Sequence, residues 1–88
     1  MKIKQGFSIK NIDGQPVIVC DKTLYPNFNV VITLSETSSL LWDMLINGTA
    51  TKENMLNALL DRFDISTVLA LNDIDVFIRT LKENGILE

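Results

Sequence analysis

Asn29–Trp42, NVVITLSETSSLLW, runs a strand-like segment straight into a helix-like one with no loop between them. Asn29–Thr33 is β-branched and apolar, as a strand prefers. Ser35 is suited to cap a helix, and Glu36 puts a negative charge in the first turn, where the helix dipole favours it. Thr33 with Glu36 also fits a capping box one step earlier, so two junctions stay open. The chain before this stretch reads as strand, and the chain after it reads as helix.

Upstream, Phe7–Ile12 alternates Phe7 and Ile9 with Ser8 and Lys10. Asp13–Gly14 is a tight-hairpin signal, because a primed turn needs positive φ. Val17–Cys20 is the returning strand, with Pro16 at its entry, where a missing N–H is tolerated. Asp21–Phe28 is a loop marked by Tyr25-Pro26-Asn27. The first two strands form their own hairpin, so the third, Asn29–Thr33, is expected at a sheet edge.

Downstream, a first helix is expected from Glu36 to Ile46, with Leu41, Trp42 and Leu45 on one face and Leu40 and Met44 beside it. Asn47-Gly48-Thr49 reads as its ending turn. Thr51 caps a second helix whose apolar stripe is Met55, Leu56, Leu59, Leu60 and Phe63. A third helix is expected over Thr67–Asn84. Ala70, Leu71, Ile74, Phe77, Ile78 and Leu81 form its core face, and Gly85 stops it with Ile86 and Leu87 folding back. The fold class is α+β, a three-stranded antiparallel sheet followed by three helices (β-β-β-α-α-α), winged helix-turn-helix-like in outline.

The 88 residues are 47% hydrophobic and 22% charged, as expected for one folded domain with one modest core. No apolar run is long enough to span a membrane. Lys2 and Lys4 lead into a strand pattern rather than a signal-peptide core, so a cytoplasmic location is expected. A net charge of −3 argues against nucleic acid or an anionic membrane as partner.

The residues for catalysis are sparse. There is no histidine, and the glycines stand singly rather than in a phosphate loop. Asp73 and Asp75, two apart on a helix, do not face each other. Cys20, the one cysteine, follows Val17-Ile18-Val19 and reads as a half-buried strand residue. No enzyme activity, metal or cofactor is expected. Winged helices often bind DNA, but residues 67–84 carry Arg79 and Lys82 against Asp73, Asp75 and Glu83. The phosphate-facing half of such a helix would hold only the two aspartates.

Binding through a surface remains. Leu69 and Val76 project away from the core face of the third helix, alongside Asp73 and Thr80. Val30, Val31 and Ile32 are apolar on both faces of an edge strand that has neither lysine nor proline to block pairing. An extended peptide added as a fourth strand would satisfy that edge, with the adjacent helix supplying specificity. Asp73 beside this groove would favour a basic residue on the ligand.

Leu34-Ser35-Glu36-Thr37-Ser38, Leu41-Trp42, Gly48, Thr51 and Glu53, followed by Phe63-Asp64-Ile65-Ser66, Asp73, Phe77-Ile78, Leu81 and Gly85-Ile86-Leu87, resembles the pattern of the PqqD-like proteins (pyrroloquinoline quinone biosynthesis protein D). Where that family has Asn, this chain has Ser35, and both cap helices well. The resemblance spans nearly the whole chain and implies a single PqqD-like peptide-recognition domain over residues 1–88.

It further implies a RiPP recognition element, a non-enzymatic chaperone that binds the leader segment of a ribosomally made precursor peptide. Such a domain delivers the leader to a modifying enzyme, whether a radical S-adenosylmethionine maturase, a leader peptidase or a cyclase. In the family the leader pairs with the third strand and packs on the third helix. The candidate leader-binding residues here are therefore Val30, Val31, Ile32 and Thr33 on the strand and Leu69, Asp73, Val76, Phe77 and Thr80 on the helix. Phe77 keeps a core reading as well. Trp42 is read as packing rather than contact. The rival readings are a winged-helix DNA-binding regulator and a subunit that homodimerises through the same strand edge without a peptide ligand.

Overall fold

The hairpin forms where the sequence signals it. In the computed structural model, which describes residues 1–88, β1 (Phe7–Ile12) and β2 (Gln15–Cys20) pair antiparallel from Phe7 opposite Cys20 to Ile12 opposite Gln15. Asp13 and Gly14 form the turn with φ of 51° and 81°, the two positive values a primed hairpin demands. The sheet order is β1-β2-β3, so the third strand lies at one edge and β1 at the other.

That third strand is much shorter than its β-branched run suggests. β3 is only Ile32–Thr33, paired as Ile18 with Ile32 and Val17 with Thr33. Val30 and Val31 lie outside it. The cause is non-local. Phe28 is drawn onto Phe7, ring centroids 5.2 Å apart and edge-on, and Lys22 holds the Phe28 carbonyl with its ammonium. The chain therefore reaches β2 only at Ile32.

The helices follow their caps. α1 (Glu36–Ile46) is capped by Ser35, whose hydroxyl accepts from the Ser38 amide at 3.2 Å, which settles the junction against the Thr33 alternative. α2 (Lys52–Arg62) is capped by Thr51, which accepts from the Asn54 amide at 3.0 Å. α3 (Thr67–Glu83) is capped by Ser66, which accepts from the Leu69 amide at 3.2 Å, and Asn84 serves as its C-cap. At the end of α3, Gly85 takes φ 69°. Its amide donates to the Lys82 carbonyl, and the Ile86 amide donates to the Leu81 carbonyl. This is a Schellman motif, and it points Ile86 inward.

The core lies between the inner face of the sheet and the three helices. Phe7, Ile18, Leu34, Leu41, Trp42, Leu45, Met55, Leu59, Ala70, Ile74, Phe77 and Leu81 are buried together. Leu71 and Ile78, assigned to the core face of α3, are only half-buried; Ile78 packs against the cluster, while Leu71 is not part of it. The chain ends meet. Ile3 bridges Leu87, the Lys4 amide donates to Ile86, and the Glu88 amide donates to Lys2. No helix is long and apolar enough to cross a membrane.

Candidate functional site

The loop entering β3 is built to hold a short extended segment in place. The Asp21 carbonyl accepts the amides of Leu24 and Tyr25 at 3.1 and 3.0 Å. The Asp21 carboxylate accepts from the Thr23 hydroxyl at 2.6 Å and the Thr23 amide at 2.9 Å. These bonds, the hydroxyl first, hold the Asp21 carboxyl below the usual aspartate range. The Tyr25 hydroxyl donates to the Gln5 carbonyl at 2.8 Å, and its ring lies 4.5 Å from Phe7. Phe28 closes the loop on the same Phe7.

The segment leaving this loop is unpaired. Asn29, Val30 and Val31 make no backbone–backbone hydrogen bond, and Val31 is 78% exposed. The parity of the β2–β3 ladder fixes the next residue. The Leu34 amide donates to the Pro16 carbonyl at 2.9 Å, so Pro16 and Leu34 form a hydrogen-bonded pair. Hydrogen-bonded and non-hydrogen-bonded pairs alternate along an antiparallel ladder. Val17 and Thr33 are then a non-hydrogen-bonded pair, and the Thr33 amide and carbonyl point to the open edge. Together with Val31 they present main-chain donors and acceptors to whatever lies alongside.

Beside that edge runs α3. Its buried stripe is Ala70, Ile74, Phe77 and Leu81. Asp73, Val76 and Thr80, at i, i+3 and i+7, form the adjoining stripe. Between this stripe, β3 and the start of α1 is an open cleft of about 300 Å³. Its apolar wall is Ile32, Leu34, Val76 and Phe77, and its rim carries the hydroxyls of Ser35, Thr37 and Ser38. The Thr80 hydroxyl is occupied, donating to the Val76 carbonyl at 2.8 Å. Asp73 has neither a hydrogen bond nor an ion pair, whereas Asp75, on the other side of the helix, lies 3.7 Å from Lys52.

Of the residues singled out from the sequence, Ile32, Thr33, Asp73, Val76, Phe77 and Thr80 line this cleft together. Phe77 does so while only 5% exposed, and so has a core role as well. Val30 and Val31 line a different hollow of about 580 Å³ with Val17, Val19 and Phe28. Thr33 borders both hollows. Leu69, 56% exposed, lines neither. Sequence reasoning missed Leu34, Ser35, Thr37, Ser38 and Asn72. The direct strand-to-helix junction was the available signal, since a helix that starts where an edge strand ends must place its first turn at the strand's flank.

Residues 23–87 match the family model for coenzyme PQQ synthesis protein D (PqqD). Two solved structures share the fold. TbiB1 in complex with the TbiA(beta) leader peptide is 22% identical, with a TM-score of 0.75 over 100% of this chain and 95% of that one. A lasso peptide synthetase B1 complexed with the leader peptide is 20% identical, with a TM-score of 0.76 over 99% of this chain and 95% of that one. No curated protein matches this chain.

Proposed function

The chain belongs to the PqqD family, and on that premise we propose that it is a non-enzymatic recognition domain for the leader segment of a ribosomally synthesised precursor peptide. The leader adds as a fourth strand at the open side of β3. The domain then presents it to a modifying enzyme of the radical S-adenosylmethionine, leader-peptidase or cyclase kind. The observation that carries this reading is the run Asn29–Val31, free of backbone bonds, leading into a two-residue edge strand beside a cleft. An edge so exposed is a pairing template. Both solved structures of the same fold hold leader peptides, which supports the reading for this chain.

Main-chain bonds to Val31 and Thr33 supply affinity with little regard to sequence. Each such bond contributes about 1 kcal/mol net. Successive side chains of the added strand alternate between faces. One set meets Ile32, Val76 and Phe77 in the cleft. The other passes Val31 and Thr33 toward the hollow lined by Val17 and Val19. Selectivity resides in these two sets.

The test takes synthetic N-terminal segments of the short open reading frames beside this gene and titrates them against the protein by backbone NMR. The expected result is saturable binding that newly protects the Val31 and Thr33 amides from hydrogen exchange, while the Ile32 amide, already facing β2, changes little. Binding that leaves Val31 and Thr33 unprotected would exclude strand addition. Absence of binding by every segment, combined with concentration-dependent sedimentation, would instead favour self-association through the same edge.

A further inference from the structure

The cleft has one charge. Among its eleven lining residues Asp73 alone is ionisable, and the rest are apolar, hydroxyl-bearing or amide side chains. Asp73 has no partner. The other charged pairs of α3 lie elsewhere, Asp75 with Lys52 and Arg79 with Glu83 at 3.9 Å. None of the hydroxyls at the cleft rim bonds to Asp73. Ser35, Thr37 and Ser38 bond among themselves, and Thr80 bonds its own helix.

An unpaired carboxylate in this position is stable only while water reaches it. A strand laid along β3 covers the cleft and removes part of that water. The charge then needs a donor from the ligand, because an ion losing solvent without compensation is penalised. A lysine or arginine gives the strongest compensation, a charge-assisted hydrogen bond. An acidic or apolar side chain at the same place would leave the carboxylate uncompensated and be rejected. One residue thereby selects by attraction and by exclusion.

For a strand laid along α3, the helix also sets the spacing. Asp73 and Val76 are three residues apart on α3, so their Cβ atoms lie about 5–6 Å apart. Same-face residues of an extended strand repeat every two residues, about 6.6–6.8 Å. Resting on the leader-binding reading, we infer that Asp73 is a specificity determinant for a lysine or arginine lying two residues from an apolar residue seated against Val76. The recognised feature is thus apolar-x-basic, or its reverse, in an extended peptide.

The probe is a displayed library of random twelve-residue peptides, selected separately on the full chain and on its Asp73→Asn and Asp73→Lys variants. The full chain is expected to enrich peptides that pair an apolar residue with a basic one two positions away. Asp73→Asn, nearly the same shape, should keep the apolar preference and lose the basic one. Peptides selected on the parent should bind it about fivefold to tenfold more weakly, the range of one partly screened charge-assisted bond. Asp73→Lys should enrich Asp or Glu at that position, a reversal that general damage to the domain would not produce. An apolar motif without the basic residue, or a basic preference that survives Asp73→Asn, overturns this role and leaves peptide binding intact. Failure of the parent to enrich any motif overturns the leader-binding reading and this inference with it.

Discussion

Val76→Asp separates the groove from the core. Val76 is 41% exposed, so the apolar area a ligand can still cover is a little under half the side chain. Complete burial of a valine contributes about 1.5–3 kcal/mol. The covered fraction therefore contributes about 0.6–1.2 kcal/mol to binding, roughly threefold to eightfold in affinity. Aspartate forfeits that and adds a carboxylate facing Ile32 and Phe77. Leaving it poorly solvated costs about 1–3 kcal/mol more. The sum, about 2–4 kcal/mol, corresponds to roughly thirtyfold to a thousandfold weaker binding. Val76→Ala, which removes methyls without adding charge, should cost no more than the apolar part.

The fold should tolerate the change. Valine and aspartate have similar helix propensities. Repulsion from Asp73, three residues earlier, amounts to a few tenths of a kcal/mol, about 0.2–0.5. Calorimetric titration of a bound leader segment, with circular dichroism and thermal melting on the same preparations, measures both sides. A folded Val76→Asp protein that binds like the parent would refute the placement of the ligand against α3.

Three further expectations are independent of that one. Val31→Pro removes a main-chain donor at the open edge and should abolish most leader binding by calorimetry, with circular dichroism reporting whether the sheet persists. Gly85→Ala meets no neighbouring atom but must hold φ 69°; the left-handed conformation costs about 1–2 kcal/mol, and a melting curve should drop by roughly 4–8 °C per kcal/mol. The Asp21 carboxyl is held low in the fold, chiefly by Thr23, so it stabilises the native state above the unfolded aspartate pKa, and that contribution fades as pH falls through the folded value. Thr23→Val should move the Asp21 midpoint upward in a carboxyl-carbon NMR titration.

Most of the architecture was legible because its signals are local. Ser35, Thr51 and Ser66 cap the helices they precede, Asp13–Gly14 turns the hairpin, and Gly85 ends α3, each acting on atoms within a turn of itself. The buried stripe of α1 and the Met55 and Leu59 line of α2 likewise follow from period alone, whereas Leu60, read into the α2 stripe, is exposed. The family pattern is made of these same caps and core positions. It accordingly matches residues 23–87, whereas the likeness in three dimensions also takes in the β1–β2 hairpin.

Residue order alone was enough for the succession of elements, the caps, the edge position of the third strand and the stripe of Asp73, Val76 and Thr80. Three other matters were set only when distant parts of the chain met. β3 shrank to Ile32–Thr33 because Phe28 packs on Phe7, a ring twenty-one residues earlier. The chain ends joined through Ile3 and Leu87. The mouth of the cleft came to include Ser35, Thr37 and Ser38 while Leu69 fell outside it. All three depend on contacts between residues far apart in the chain. β-branched residues favour extended backbone wherever they stand, but only a partner strand, or a ring pulling the chain aside, determines how many of them pair.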